Sequence, residues 1–244
     1  RLQVEHPVTE AITGVDLVEW QLRVASGEGL PKRQDELTIT GHAFESRLYA
    51  EDVPKGFLPA TGTLAHLAFP EGARADSGVR TNDTISPFYD PMIAKIITHG
   101  PSRAVALKRM ARALAQTQVA GTVTNLSFLG ALCAHEGFAA GDVDTGLIGR
   151  DLESLVQAPA PTEAERALAA LVALGLTQAE WPTGVHLWSA MRRQVALRFG
   201  EDEFEAVVES LSADAHDVTL GEASVAARRV GGRWMLNGQV APEA

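Results

Sequence analysis

The sequence holds one cysteine, Cys133, inside the apolar stretch 128–134. A lone thiol excludes an internal disulfide and a cysteine-rich zinc site, and in apolar surroundings it reads as core filler rather than nucleophile. No run of about 18 apolar residues occurs, so no membrane span is expected. Positive charge is scarce: 21 Lys and Arg against 31 Asp and Glu give a formal charge of −10, with no polybasic run. Nucleic acid or an anionic membrane would need a basic surface that gains from counterion release, so neither partner is expected. Gly-x-Ser-x-Gly, His-Glu-x-x-His, the P-loop and the dinucleotide fingerprint are all missing, which removes hydrolase, zinc-protease and NAD readings. There is no internal repeat or low-complexity tract. The chain also lacks a signal peptide and a start methionine, and because Arg1 opens it in mid-motif, an internal fragment is expected.

What is present is ordinary globular composition, 45% hydrophobic and 21% charged, in 244 residues, enough for one large domain or two ordinary ones. The first ten residues are the densest in chemistry. If they are extended, the two-residue period puts Arg1, Gln3 and Glu5 on one face and Leu2 and Val4 on the other, with His6-Pro7 ending the run. Such a face suits a small planar anion: Arg offers a rigid fork of donors, Gln one more, and Glu can accept a proton. From the pattern alone, the wet face of an amphipathic strand is the commoner setting for this alternation.

A second informative stretch is 41–52. Ala43, Glu45, Arg47 and Tyr49 alternate with His42, Phe44, Ser46 and Leu48, and Phe44 and Leu48 mark the core side, so Arg47 projects with Glu45 from the other. A cross-strand charge pair is the plain alternative. Asp90 opens a strand over 92–98 and is either an orienting partner for Arg47 or a turn-forming aspartate.

Between these marks, helices are expected over 8–13, from Asp16 to Gly27, from Ser102 to about Thr117 and over 124–134. Trp20 reads as packing, and Arg103, Lys108, Arg109 and Arg112 as a solvated helix face. A strand is expected over 63–69, loops over 70–78 and 80–87, and a polar connection over 138–148. Residues 151–161 read as a linker. Thr162-x-x-Glu165 opens a helix to Leu174, and beyond Trp181-Pro182 short alternating runs predict an antiparallel sheet or small barrel.

RLQVEHPVTE, continuing into AITGVDLVEWQLRVASG, resembles the signature of the biotin carboxylase family, and GHAFESRLYAED with YDPMIAK and TNLSFL is similar to that family's C-terminal domain. The resemblance implies an α+β fold: residues 1–40 as the end of an ATP-grasp catalytic region, 41–150 as the C-terminal domain, an antiparallel sheet with helices, and 162–244 as a helix plus antiparallel β-barrel-like linker domain, incomplete here. It also implies roles. Arg1 would bind bicarbonate and then phosphate, Gln3 and the Val4 N–H would hold bicarbonate, Glu5 would be the general base, and Arg47 would stabilise the ureido oxyanion of biotin. ATP and Mg2+ or Mn2+ would bind mostly upstream, biotin would be attached elsewhere, and no metal site is expected within these residues. Implied partners are bicarbonate, ATP, a biotin carrier domain, a carboxyltransferase (beta) subunit and a second copy in a dimer. Within the family the chain looks most like an acyl-CoA carboxylase subunit, with 3-methylcrotonyl-CoA the expected acyl substrate, propionyl-CoA or geranyl-CoA the alternatives, and a bacterial cytoplasm or a mitochondrial matrix the setting. A non-catalytic docking module and another ATP-grasp ligase, such as a carbamoyl-phosphate synthetase relative, are the competing readings.

Overall fold

The computed structural model describes residues 2–157, 160–178, 189–200 and 202–241. Arg1 and the Trp181-Pro182 transition therefore lie outside the described residues. The chain divides into two compact units, residues 1–158 and 159–244.

In chain order the first unit begins with α1 (His6–Thr13), α2 (Leu17–Ala25), β1 (His42–Tyr49), β2 (Glu51–Asp52), β3 (Leu58–Pro59), β4 (Gly62–Thr63), β5 (His66–Ala68), β6 (Arg74–Ser77) and β7 (Thr84–Ile85). It continues with β8 (Met92–Gly100), α3 (Arg103–Gln116), β9 (Gln118–Ala120), α4 (Leu126–Ala134), α5 (Glu136–Ala140) and α6 (Leu147–Leu155). Its central sheet is antiparallel in the order β1-β8-β6, so β1, the strand of Arg47, is an edge. Short pairs β2-β3, β4-β7 and β5-β9 surround it.

One face of this sheet is the core. Leu48 and Ile96 are fully buried and Ser46 nearly so. Helix α3, capped by the Ser102 side chain on the Val105 N–H, lays Ala106, Leu107, Met110, Ala113 and Leu114 inward as one helical stripe. Met110 and Leu114 meet Ile96 and Phe44 there, and Ser46 Oγ sits 3.4 Å from Met110 Sδ. Each such side chain, fully buried, stabilises the fold by about 2 kcal/mol. Helix α1 lies against β1 and β8, its last turn joined to the sheet's approach by the Thr40 N–H donating to the Ile12 carbonyl at 2.8 Å.

Several expectations need correction. The strand over 63–69 is two pieces, β4 and β5, with different partners. The loop over 70–78 contains β6, whose short polar Arg-Ala-Asp-Ser alternation gains order only by pairing with β8. The polar connection over 138–148 and the start of the linker hold α5 and α6. Helix α6 has no side-chain N-cap, so nothing local marks its start, and it is held by burial of Leu147 and Leu155. The bases of α3 are not all solvated: Arg103 stacks 4.9 Å from the Phe44 ring and donates to the Phe138 carbonyl, and Arg109 donates to the His99 carbonyl.

The second unit consists of α7 (Glu163–Ala173) and strands β10 (Met191–Phe199), β11 (Asp202–Ser212), β12 (Ala215–Leu220), β13 (Ala223–Val230), β14 (Arg233–Leu236) and β15 (Gln239–Val240). The expected capping box is present: the Glu165 N–H donates to Thr162 Oγ1 at 3.3 Å and the Thr162 N–H to Glu165 Oε2 at 2.7 Å. Ala167, Ala170 and Leu171 face Ala206, Val208, Val218, Val225, Ala227 and Leu236, small residues on the helix letting it sit close to the sheet. The six strands run as a meander in sequence order. Gly231-Gly232 and Asn237-Gly238 turn two of the hairpins with positive φ at both positions, the primed turns that suit strand twist. The barrel-like expectation is corrected to an open sheet: among the described residues no pairing joins β10 to β15.

Candidate active site

The opening segment is not extended. Val4 and Glu5 form a turn, Glu5 taking φ −76° and ψ −7°, and the His6 N–H points to the Gln3 carbonyl at 3.4 Å. Pro7 starts α1 rather than ending a strand, because its fixed φ and missing N–H suit the first helical turn. The two-residue period therefore does not operate here. Gln3 and Glu5 are exposed and Val4 is half-buried.

The turn brings Glu5 to Arg47, 42 positions away: Arg47 Nη2 donates to Glu5 Oε2 at 3.1 Å. On β1 the expected facing holds, with Ser46 and Leu48 buried and Arg47 exposed on the opposite face. Glu45 shares that face, its Oε1 3.7 Å from Arg47 Nε. Unlike Glu5, Glu45 is deeply buried, with 4% of its side chain exposed against 59%. Burial pushes its carboxyl above the ordinary range, while Lys95 and Arg47 pull it back.

The charges continue across the sheet. Arg47 pairs in register with Lys95 and Lys95 with Asp76, while Glu45 pairs with Ile97 and Ile97 with Arg74. Lys95 Nζ lies 3.5 Å from Asp76 Oδ2. Arg74 clamps Asp76 through two N–H donors at 2.8 Å each and sends a third, at 2.8 Å, to Glu10 Oε2 on α1. The second oxygen of Glu10 accepts the Leu17 N–H at 3.1 Å. The segment preceding α1 and α1 itself are thus tied to the sheet at two points, Glu5 on Arg47 and Glu10 on Arg74. These cations hold Asp76 below the usual carboxylate range, Arg74 contributing most.

Asp90 takes the turn role: its carboxylate accepts the Met92 N–H at 2.9 Å. The ion pairs of Arg47 among the described residues are to Glu5 and Glu45. Asp90 still acts at a distance, since its charge adds to burial in raising the Tyr49 phenol and the Glu51 carboxyl. Those groups, with Glu45 and Arg47, line a cavity of about 370 Å3 at the β1 edge, closed from the other side by Leu129, Leu132 and Phe138.

Glu10, Arg74, Asp76 and Lys95 are not legible as a group in the sequence, because Arg74 and Asp76 fall in an apparent loop and only strand pairing aligns them. The one available signal was the Arg-x-Asp alternation. No group of three or more His, Cys, Asp or Glu side chains placed to hold a metal ion occurs among the described residues.

Comparison with known proteins gives the context. Residues 45–150 match the biotin carboxylase C-terminal domain, and residues 1–33 the ATP-binding domain of the carbamoyl-phosphate synthase L chain. The chain is 50% identical over 193 residues to the alpha subunit of mitochondrial methylcrotonoyl-CoA carboxylase of Arabidopsis thaliana, covering 75% of this chain and 26% of that one. It is 45% identical over 155 residues to biotin carboxylase of Halalkalibacterium halodurans, covering 63% and 34%. It spans about a quarter of the length of the first of these. Among solved structures, the biotin carboxylase domain dimer of 2-oxoglutarate carboxylase from Hydrogenobacter thermophilus, in complex with MgADP, ADP and bicarbonate, superposes with a TM-score of 0.63 at 37% identity, covering 65% of this chain and 36% of that one. A C-terminal-domain match over the strand of Arg47, beside an ATP-binding-domain match over the turn of Glu5, places the chain in the biotin carboxylase family.

Proposed function

We propose that this chain supplies the base-and-arginine portion of an enzyme that carboxylates carrier-bound biotin with bicarbonate and ATP. The observation that carries the reading is the 3.1 Å bond between Glu5 and Arg47, which unites the two segments matched by different family models. Glu5, exposed at a turn, is accessible to take the proton of bound bicarbonate, as a general base must. Arg47, half exposed, can offer a hydrogen bond to the ureido oxygen of biotin as negative charge grows there. Gln3 and the Val4 N–H would hold bicarbonate beside Glu5, and Arg1 would bind bicarbonate and then the released phosphate. ATP and Mg2+ or Mn2+ would be held by other parts of a protein of the relatives' length; bound there, ATP supplies the phosphoryl group that activates bicarbonate.

The acyl substrate would be 3-methylcrotonyl-CoA, acted on by a separate carboxyltransferase (beta) subunit, which the naming and identity of the plant relative support. A dimer through the biotin carboxylase part is supported by the dimeric bacterial neighbour. The relative is mitochondrial, so a mitochondrial matrix or a bacterial cytoplasm is the setting; no described helix is long and apolar enough to cross a membrane. The test is biotin-dependent ATP cleavage with bicarbonate by a protein of the relatives' length containing this chain. Activity that disappears in Glu5→Gln supports the reading, and absence of any biotin-dependent turnover in the unaltered protein overturns it.

A further inference from the structure

We propose that Glu45 is the positioning residue for Arg47, a buried carboxylate that keeps the guanidinium in place while its outer edge changes partners. The proposal rests on the function proposed above. Arg47 stands on an edge strand at the end of a long flexible stem, and a fork of donors is useful only if its plane is fixed. Three carboxylates are candidates to fix it. Asp90 accepts the Met92 amide and makes no ion pair with Arg47 among the described residues. Glu5 is well exposed and, if it takes up a proton from bicarbonate, loses the negative charge that binds Arg47. Glu45 remains, two residues along the same strand face, with Oε1 3.7 Å from Arg47 Nε.

The burial of Glu45 is what the fold alone does not require. Its side chain is 4% exposed and its Oε2 is buried with no hydrogen-bond partner. A carboxylate held away from water with an orphan oxygen is retained at a cost, and strand β1 could bury an apolar residue there more favourably. The cations facing it are Arg47 on its own strand and Lys95 on β8. Lys95 pulls harder on the Glu45 charge, but its ammonium pairs with Asp76, and the ion pair of Glu45 among the described residues is to Arg47. Shielded from solvent, the Glu45–Arg47 attraction is screened less than the Glu5–Arg47 pair. When Glu5 is protonated, Nη2 of Arg47 is released toward the ureido oxygen while Nε stays anchored. Glu45 acts through Arg47 and does not touch substrate.

The experiment uses a protein of the relatives' length, with free biotin as the probe. Glu45→Gln keeps shape and removes charge. The expected result is a KM for biotin raised about tenfold, the loss of one charge-assisted contact, with the KM for bicarbonate and the melting temperature unmoved. Glu45→Asp should recover part of the biotin KM, and it carries the test if the glutamine variant does not fold. An unchanged biotin KM, or equal increases in the KM for biotin and for bicarbonate, overturns the proposal. Unaltered protein without biotin-dependent turnover would instead overturn the function on which it rests, so the two failures are distinguishable.

Discussion

Arg74 Nη1 meets Glu10 Oε2 at 2.8 Å, joining strand β6 to helix α1 across 64 positions of sequence. The same guanidinium grips Asp76 with two further donors, so α1 is fastened to the sheet by a pre-oriented fork. Because Glu5 sits immediately before α1, this fastening decides where Glu5 lies relative to Arg47.

Glu10 and Arg74 should therefore be energetically coupled. Glu10 is 10% exposed at its side chain and Arg74 50%, so the pair lies between a surface and a buried bridge. A double-mutant cycle with Glu10→Gln and Arg74→Met, followed by urea unfolding, should give a coupling of about 1 kcal/mol. A value near zero would show that this ion pair does not help to hold α1.

Glu5→Gln should remove biotin carboxylation while changing the melting temperature by no more than about 2 °C, because the side chain is exposed and its ion pair with Arg47 is open to solvent. Carboxylation kinetics alongside a thermal melt check both halves. Near-normal turnover would eliminate Glu5 as the base.

Arg47→Lys keeps the charge but loses the fork that spans Glu45 and Glu5. Turnover with biotin should fall by about a hundredfold, and a lysine variant of equal activity would show that charge alone suffices.

Acid should weaken the second unit through His216. Its ring is buried, Nδ1 bonds Ser210 Oγ at 3.0 Å, and the ring of Trp234 lies 5.5 Å away. Burial lowers its pKa below the ordinary 6.5, with Arg228 and Arg193 adding to the effect. The unfolded chain then binds a proton that the folded chain does not, so stability is complete above 6.5 and declines as pH falls below it. The decline, measured by denaturant unfolding between pH 7.5 and 5, should stay below the limit of about 1.4 kcal/mol per pH unit set by one proton. His216→Asn should flatten that slope.

Gly41 enters β1 with φ +69°, and a Cβ there would strike the Gly100 carbonyl and the His99 ring. Gly41→Ala should destabilise the first unit by about 1–3 kcal/mol. Circular dichroism during denaturation would detect it.

Much of this was legible in the sequence, for local reasons. The facing of β1 followed from Phe44 and Leu48, the cap of α7 from Thr162 and Glu165, and the β-rich second unit from turn-separated alternation. What was not legible depended on distant partners. Pro7 suits both the end of a strand and the beginning of a helix, and the choice was made by α1 lying against the sheet. Strand β6 is too short and polar to announce itself before β8 pairs with it. Helix α6 has no cap and shows only as leucines buried by α4 and its neighbours. The Glu5–Arg47 bond could not be read from either segment alone, since it depends on where α1 comes to rest.

Burial also silences the chain's only thiol. Cys133 is pushed up to about 11, so at neutral pH about one molecule in ten thousand carries the thiolate there. A maleimide or disulfide reagent would therefore react with the native side chain about a hundredfold more slowly than with an unshifted thiol. A single cysteine introduced at an exposed position, in the turn before α1 or along the strand of Arg47, would take the label preferentially, and a spectroscopic reporter there could follow the separation of Glu5 and Arg47.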